Sequence, residues 1–343
     1  LIEAKTRTVL ESKNPDKQLN AGYLSKLMSL LLIAEDIETG KYSLSTEITA
    51  PQSVYGTRGS VVWLEPGDKM TVEELLKSII IGNANDALTA LAETSERSVD
   101  DFVMRMNSEA FDLGLRSTAF YSPYGYYDER EHTTAADIAV ICARLTGFEF
   151  LEPYFRTWRD FVKDGTVELV SEDTLARTYD RHCGFKACHS EEAGYCIAEG
   201  GRSESGTVYI AVVLGAPDED SSFSAAKGLV KKGFSNYKVT AATFPEEMLR
   251  PVRVRDGAES VVEIGFSDME SIVVPKGVRS LSTTAVIPQY VSAPVRKGQK
   301  IGIAAFYSGD TLICETDVVA KSKIDRLTVK YVFNKLLLKL LEK

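Results

Sequence analysis

The chain has 343 residues, of which 44% are hydrophobic and 26% charged, a composition typical of a globular protein long enough for two domains. Its net charge of -9 argues against a nucleic-acid partner, because phosphate binding requires a basic face. The charge is uneven, since the last 24 residues carry +5 and the remainder carries about -14. This division predicts that the C-terminus meets an anionic surface.

The five cysteines are odd in number and scattered, so they do not indicate a disulfide framework. Cys183 and Cys188 have histidine neighbours, but on one strand the two thiols would lie about 16 Å apart on opposite faces. They could neither bridge nor share a metal, and we expect no metal site and no cofactor. A Cys188–Cys196 pair across a hairpin stays open. The chain begins with leucine and no signal peptide or membrane span is visible, so we expect that a leader has been removed.

Residues 1–10 alternate apolar and polar side chains, which predicts a strand. Residues 24–34 are almost continuously apolar and predict a helix buried on nearly every face. Lys26 lies in its first turn, where a buried ammonium requires partners or a lowered pKa. Tyr23 lies three residues earlier, on the same face. On this segment alone, a lysine that extends to water is the simpler interpretation.

Further elements follow in chain order. A capping box at Thr71 and Glu74 begins a helix that ends at Gly82, and a second helix begins near Asn85 after a polar break. Later patterns predict helices at 99–113, 134–145 and 223–234, and strands at 182–188, 194–201 and 207–216.

The character of the chain changes after residue 244. Short segments rich in Val, Ile and Ser, separated by turns, predict a small all-β sandwich. Beyond it, apolar side chains from Val329 to Leu341 form a helical stripe, too short and too interrupted by lysine to span about 30 Å of hydrocarbon. An amphipathic helix on an anionic membrane surface fits better; packing on its own β domain or on another copy is the alternative. The predicted divisions are 1–240, 245–322 and 323–343.

The order of these segments resembles the D-alanyl-D-alanine carboxypeptidases, the low-molecular-mass penicillin-binding proteins that trim peptidoglycan stem peptides. The resemblance implies a β-lactamase/transpeptidase-like α+β fold, in which an antiparallel sheet and flanking helices surround the buried central helix. It also implies a location in the bacterial cell envelope, at the outer face of the cytoplasmic membrane. The stretches that carry it are 64–93, 102–115, 132–139, 193–201, 211–237 and, for the family's C-terminal β domain, 293–302.

That family works through three motifs, and the first is altered here. In Ser-x-x-Lys the serine attacks the D-Ala-D-Ala carbonyl and the lysine takes its proton. This chain keeps Lys26, but Tyr23 stands at the nucleophile position. Ser25 is two positions on, about 200° around a helix, and so faces away. A phenol is several atoms longer than serine, so its oxygen would overshoot the carbonyl.

The second and third motifs are altered as well. Ser-Gly-Asn is replaced by Asn83-Ala84-Asn85, which keeps only the asparagine. Lys-Thr-Gly, which holds the substrate carboxylate at the sheet edge, is replaced by Lys186-Ala187-Cys188. The lysine remains, the hydroxyl is lost, and a side chain stands where the family has glycine. Cys188 is interpreted as a small apolar filler, with a reactive thiol as the alternative.

Two hypotheses follow. The favoured one is a catalytically impaired or inactive relative that binds a peptidoglycan stem peptide or a cell-wall protein. The other is an active D-alanyl-D-alanine carboxypeptidase with a rearranged nucleophile, which the retained Lys26, Asn85 and Lys186 keep open. A hydrogen-bonded network around the Tyr23 hydroxyl, sealing an old active site, would also account for these retained groups.

Overall fold

The computed structural model describes residues 1–266, 271–278, 280–329, 331 and 333. The chain divides into two compact units, Leu1–Ser235 and Asn236–Lys343. Most of the amphipathic helix predicted for residues 323–343 lies outside the described residues. Among the described helices, none has both the length and the apolar character that crossing a membrane requires.

A buried helix lies at the centre of the first unit. It follows a single 3-10 turn, Gly22–Ser25, and its apolar residues from Leu27 to Ala34 are fully buried, as the unbroken apolar run predicts. The α-helices of this unit, in chain order, are α1 (Lys26–Glu38), α2 (Val72–Ile80), α3 (Asn85–Ser95), α4 (Val99–Asp112), α5 (Ala135–Leu145), α6 (Glu152–Phe155), α7 (Leu175–Thr178) and α8 (Glu219–Asn236).

The main sheet of the first unit is antiparallel, with the strand order β1-β8-β7-β6. The strand β6 is therefore at one edge of the sheet, and it carries the third altered motif. Two short antiparallel pairs, β2-β3 and β4-β5, complete the described strands of this unit. The strands are β1 (Ile2–Glu3), β2 (Glu47–Thr49), β3 (Lys69–Thr71), β4 (Arg159–Val162), β5 (Val167–Val170), β6 (His182–Ser190), β7 (Gly194–Arg202) and β8 (Val208–Ala216).

Local side-chain bonds decide where some of these elements begin and end. At the start of α2, Thr71 and Glu74 form the reciprocal capping box that the sequence predicts. At the N-terminus, however, the predicted strand of residues 1–10 is wrong beyond Glu3. The Glu3 carboxylate accepts hydrogen bonds from the backbone of Lys5 at 3.2 Å and of Thr6 at 2.8 Å, which reverses the chain so that Val9 returns to pair with Ile2.

The second unit is built from β-strands, as the sequence predicts. Its sheets have the orders β11-β10-β15, β12-β17-β16-β14 and β13-β9. Ile324 is buried and pairs with Val295, so the pairing in this unit continues past residue 322. The strands are β9 (Tyr237–Ala241), β10 (Val252–Arg255), β11 (Val261–Val262), β12 (Ile264–Phe266), β13 (Ser271–Pro275), β14 (Ser282–Val286), β15 (Tyr290–Ser292), β16 (Lys300–Ser308) and β17 (Thr311–Ala320).

Candidate functional site

The N-terminal end of α1 carries the first altered motif. Tyr23 lies in the 3-10 turn before α1 with its side chain half-buried, and Lys26 is the first residue of α1. The Lys26 nitrogen lies 5.1 Å from the centroid of the Tyr23 ring. Lys26 has no solvent exposure, so the interpretation that it extends to water is wrong. Its burial requires partners inside the fold.

Asn83 supplies those partners. The Lys26 nitrogen donates to the backbone oxygen and to the side-chain oxygen of Asn83, each at 2.6 Å. Asn83 has a φ of 57°, a left-handed conformation that asparagine adopts more readily than most residues. Burial, and then repulsion from Lys186, hold the pKa of Lys26 well below its ordinary value. A neutral amine still donates both bonds and keeps a lone pair that can accept a proton.

Asn85 is held by a different set of contacts. Its amide nitrogen donates to the Arg58 carbonyl at 2.7 Å and to the Tyr126 hydroxyl at 3.1 Å. The Tyr126 hydroxyl in turn donates to the same Arg58 carbonyl at 2.5 Å. The side-chain oxygen of Asn85 is buried without a hydrogen-bond partner among the described residues. The structure therefore brings Asn83, and not Asn85, into contact with Lys26. Sequence reasoning missed Tyr126 because its contact depends on the folded loop.

The edge strand β6 presents the third motif on alternate faces. Lys186 and Cys188 face α1, whereas Ala187 packs in a separate apolar cluster with Leu175 and Ile197. Lys186 is buried, and that burial lowers the pKa of its amine. Of the residues predicted at this motif, the structure brings Lys186 and Cys188 to the site and turns the Ala187 side chain away from it.

Cys188 fills the space between β6 and the turn before α1. Its sulfur donates to the Ala21 carbonyl at 3.5 Å, and the residue lies directly opposite Cys196 on β7. Both cysteines are free thiols, so the structure contains no Cys188–Cys196 disulfide. The hydrogen bond with Cys196, and then burial, raise the pKa of the Cys188 thiol. A buried thiol with a raised pKa is a filler and a poor nucleophile.

Ser25, the serine next to Lys26, is hydrogen-bonded to Glu131 rather than to the Lys26 amine. Its hydroxyl donates to the Glu131 carboxylate at 2.7 Å, and the other oxygen of Glu131 accepts from the backbone of Tyr121 and Ser122. Burial raises the pKa of Glu131. The serine therefore lies on the side of the turn away from the Tyr23 ring. Sequence reasoning missed Glu131, because a single glutamate in a charged loop carries no local signal of burial.

The Tyr23 hydroxyl has no hydrogen bond within the described part of the chain. The predicted polar network around that hydroxyl is therefore wrong, and the polar contacts centre on Lys26 and Asn83 instead. Burial, followed by the nearby charge of Glu172, raises the pKa of Tyr23, so the phenol stays protonated at neutral pH. Glu172 is an exposed carboxylate whose proximity to the site the sequence did not indicate.

Comparison with known proteins gives consistent matches along the chain. Residues 1–218 match the family described as D-alanyl-D-alanine carboxypeptidase, and residues 237–326 match the penicillin-binding protein 5 C-terminal domain. The chain is 30% identical over 331 residues to D-alanyl-D-alanine carboxypeptidase DacF of Bacillus subtilis. This alignment covers 95% of this chain and 85% of the relative. It is 27% identical over 334 residues to D-alanyl-D-alanine carboxypeptidase DacC of Escherichia coli, covering 95% and 83%.

A solved structure agrees with these matches at the level of the fold. Penicillin binding protein 5 from Haemophilus influenzae superimposes with a TM-score of 0.83 at 23% identity, covering 95% of this chain and 96% of that chain. The chain has the α+β transpeptidase-like fold followed by an all-β domain, as the resemblance implies. It belongs to the D-alanyl-D-alanine carboxypeptidase family, the low-molecular-mass penicillin-binding proteins.

Proposed function

We propose that this protein is a catalytically impaired or inactive member of its family, which binds the end of a peptidoglycan stem peptide or a cell-wall protein. One observation carries the proposal. Tyr23 stands at the nucleophile position, and its hydroxyl bonds neither to Lys26 nor to Lys186 within the described residues. A covalent enzyme of this family requires a hydroxyl that passes its proton to the lysine.

Three physical reasons oppose attack by Tyr23. Its raised pKa keeps the phenol protonated, and a protonated phenol is a weak nucleophile. The Tyr23 hydroxyl makes no hydrogen bond to Lys26, the base that would have to accept its proton, within the described residues. The phenol oxygen also stands several atoms further from the backbone than a serine hydroxyl. Each effect acts on the same covalent step, so together they remove most of its rate.

Binding, in contrast, has support from the two buried lysines. Lys26 and Lys186 lie close enough for the charge of Lys186 to lower the pKa of Lys26. The Lys186 nitrogen has no hydrogen-bond partner among the described residues, and the carboxylates whose charges act on it are the exposed Glu172 and, more weakly, the buried Asp173. A peptide carboxylate placed beside Lys186 would supply the missing negative charge and restore the charged form of the amine.

The decisive experiment combines binding and turnover. A muropeptide ending in D-Ala-D-Ala is titrated against the protein, and released D-alanine is measured in the same samples. We expect binding without release, and binding weaker by about tenfold or more for a peptide with an amidated C-terminus or for Lys186→Met. Lys227→Met, a change on α8, is the matched control and should bind as the natural chain does. If the muropeptide with a free C-terminus does not bind to the natural chain, the peptide-binding proposal is wrong.

The alternative, an active carboxypeptidase with a rearranged nucleophile, is supported by the lowered pKa of Lys26. A lowered pKa increases the neutral fraction of the amine, and the neutral form can act as a general base. Tyr23→Phe tests this alternative directly, because it removes the hydroxyl and keeps the ring. Release of D-alanine by the natural chain that disappears in Tyr23→Phe would establish the tyrosine as nucleophile. Release that persists in Tyr23→Phe would point to another group.

We further propose that the protein acts in the bacterial cell envelope, at the outer face of the cytoplasmic membrane. Its family membership supports the envelope, where peptidoglycan is found. The basic, apolar C-terminal segment from Val329 to Leu341 supports contact with an anionic membrane surface. The acidic remainder of the chain makes nucleic acid an unsuitable partner.

A further inference from the structure

A cluster of three buried polar side chains lies next to the third motif, outside its three residues, with one member, Asp173, close enough to interact electrostatically with Lys186. Asp173 precedes α7, His182 begins β6 and Glu199 lies on the neighbouring strand β7. All three are buried, with exposures of 4%, 2% and 0%. One ligand-type atom from each residue lies within 4.8 Å of the others. Buried carboxylates are costly unless a cation or a proton balances them.

Two oxygens in this cluster lack any partner. The Asp173 Oδ2 and Glu199 Oε1 atoms are buried and make no hydrogen bond with the described residues. The other Asp173 oxygen accepts from the Leu175 backbone at 2.9 Å, which fixes the orientation of the carboxylate. The unpartnered oxygens are therefore held in place within the cluster, and such groups in a native fold require an explanation.

The histidine is oriented as a metal ligand would be. Its Nε2 atom lies 3.0 Å from the Phe155 carbonyl, and since a carbonyl can only accept, Nε2 carries a hydrogen. The other ring nitrogen, Nδ1, lies 2.9 Å from Glu199 Oε2, so either a proton or a metal ion can join these two atoms. Metal-bound histidines generally donate their second ring N–H to a carbonyl or carboxylate, because that bond fixes the tautomer.

We propose that Asp173, His182 and Glu199 form a buried zinc site that ties β6 and β7 to the segment before α7. Donor atoms about 2.1 Å from a zinc ion lie roughly 3 to 4 Å from each other. The 2.9 Å contact of His182 with Glu199 already has this spacing, and the 4.8 Å limit of the cluster requires only a small side-chain rotation. Two carboxylates and one neutral imidazole balance the charge of a divalent ion and match the ligands that zinc accepts.

The sequence pattern did not predict this site, because it drew attention to His182 only as the neighbour of Cys183. The ligands come from three elements separated along the chain, and pairing of β6 with β7 brings two of them together. His182 is four residues before Lys186 on the same strand. Zinc would therefore stabilise the edge strand that carries the third motif, without being part of it.

The first test is the metal content of the full chain. The protein is purified with zinc present, washed briefly with a chelator, and analysed by mass spectrometry for zinc. We expect about one zinc ion per chain, and almost none in Glu199→Gln. His189→Gln, which removes an exposed histidine from the same strand, is the matched control and should retain zinc. A natural chain without zinc would overturn the proposal and leave a proton between His182 and Glu199 as the explanation of their contact.

Two further measurements keep the result decisive if Glu199→Gln folds poorly. The melting temperature of the natural chain should rise by about 5 °C or more when zinc chloride replaces chelator, and an unchanged melting temperature would overturn the proposal. The absorption spectrum of the cobalt-loaded protein should lack a cobalt–thiolate charge-transfer band. Such a band would place the metal on cysteine sulfur and refute the three-residue site.

Discussion

The side-chain nitrogen of Lys26 donates hydrogen bonds to both carbonyl oxygens of Asn83, each at 2.6 Å. This contact joins the first turn of α1 to the break between α2 and α3. A retained residue of the first motif is therefore hydrogen-bonded to a substituted residue of the second. The backbone of Asn83 is left-handed, and this conformation turns both oxygens towards the amine. The pair therefore has a structural role in this chain, whether or not the site retains chemistry.

The first prediction concerns the stability that this pair provides. Asn83→Gly keeps the left-handed backbone and its carbonyl but removes one partner of a buried amine, so we expect a loss of about 1 to 3 kcal/mol in the free energy of unfolding. Asn83→Ala should lose roughly 1 kcal/mol more, because a Cβ strains a φ of 57°. Urea unfolding of both variants measures the difference. Equal stability of the two variants would show that the backbone conformation is not constraining.

The second prediction concerns pH. Burial and the charge of Lys186 hold the pKa of Lys26 well below 10.5. Below about pH 10.5 the unfolded chain binds a proton here that the folded chain takes up only at lower pH, so folding is opposed. Relative to Lys26→Met, the unfolding free energy of the natural chain should rise as the pH is raised from about 7 to about 10. Urea unfolding of both proteins at several pH values tests this, and a constant difference would mean that Lys26 is charged in the fold.

Much of the fold was predictable because its signals are local. The unbroken apolar run of α1 indicates a helix buried on all sides, and the Thr71 capping box marks the start of α2. The order of such segments was sufficient for the family. The N-terminus shows the limit of pattern reasoning, because Glu3 bonds to its own following backbone and overrides the alternation that predicts a strand.

The candidate site was only partly predictable, because its contacts join distant parts of the chain. The sequence placed Tyr23 beside Lys26, three residues apart on one face, and the structure has the amine near the ring. It did not show that Asn83 would be the partner of Lys26, since that contact depends on a left-handed residue. The approach of His182 to Glu199 likewise arises only when β6 pairs with β7.

The third prediction concerns the cysteines. Four of the five are buried, and only Cys314 is half-exposed. We therefore expect a maleimide to label Cys314 alone in the native protein, with the other four thiols reacting after denaturation. Cys314→Ser should leave no fast-reacting thiol. Rapid labelling of Cys188 would contradict the closed contact between β6 and Ala21.

The fourth prediction concerns the basic C-terminal segment. Because Ile324 is buried and Leu327 bonds to the Asp256 backbone, a clean deletion begins after Leu327. The full chain should sediment with vesicles that contain anionic lipid and less with neutral ones, because lysines and apolar side chains act together. Deletion of residues 328–343 should abolish the sedimentation. Equal sedimentation of both proteins would sink the membrane-surface prediction, and dimerisation of the full chain would favour packing between copies.

The fifth prediction is that the natural chain forms no acyl-enzyme with penicillin. A β-lactam reports the same step as the peptide substrate, namely attack by an activated serine on a carbonyl. Tyr23→Ser alone should restore little, because Asn83 still occupies the second motif and binds Lys26, and Cys188 still fills the edge of β6. Intact-protein mass spectrometry after incubation with excess penicillin measures the adduct.

Restoring all three motifs separates the contributions of nucleophile and surroundings. Tyr23→Ser combined with Asn83→Ser, Ala84→Gly, Ala187→Thr and Cys188→Gly gives the chain the family's residues at all three motifs. Since groups that act as a unit give non-additive losses, the combined variant should acylate at least about a hundredfold faster than Tyr23→Ser. A full adduct on Tyr23→Ser alone would show that the surroundings are intact and that the tyrosine is the single block. A stoichiometric adduct on the natural chain would refute the inactive interpretation and direct attention to the modified residue.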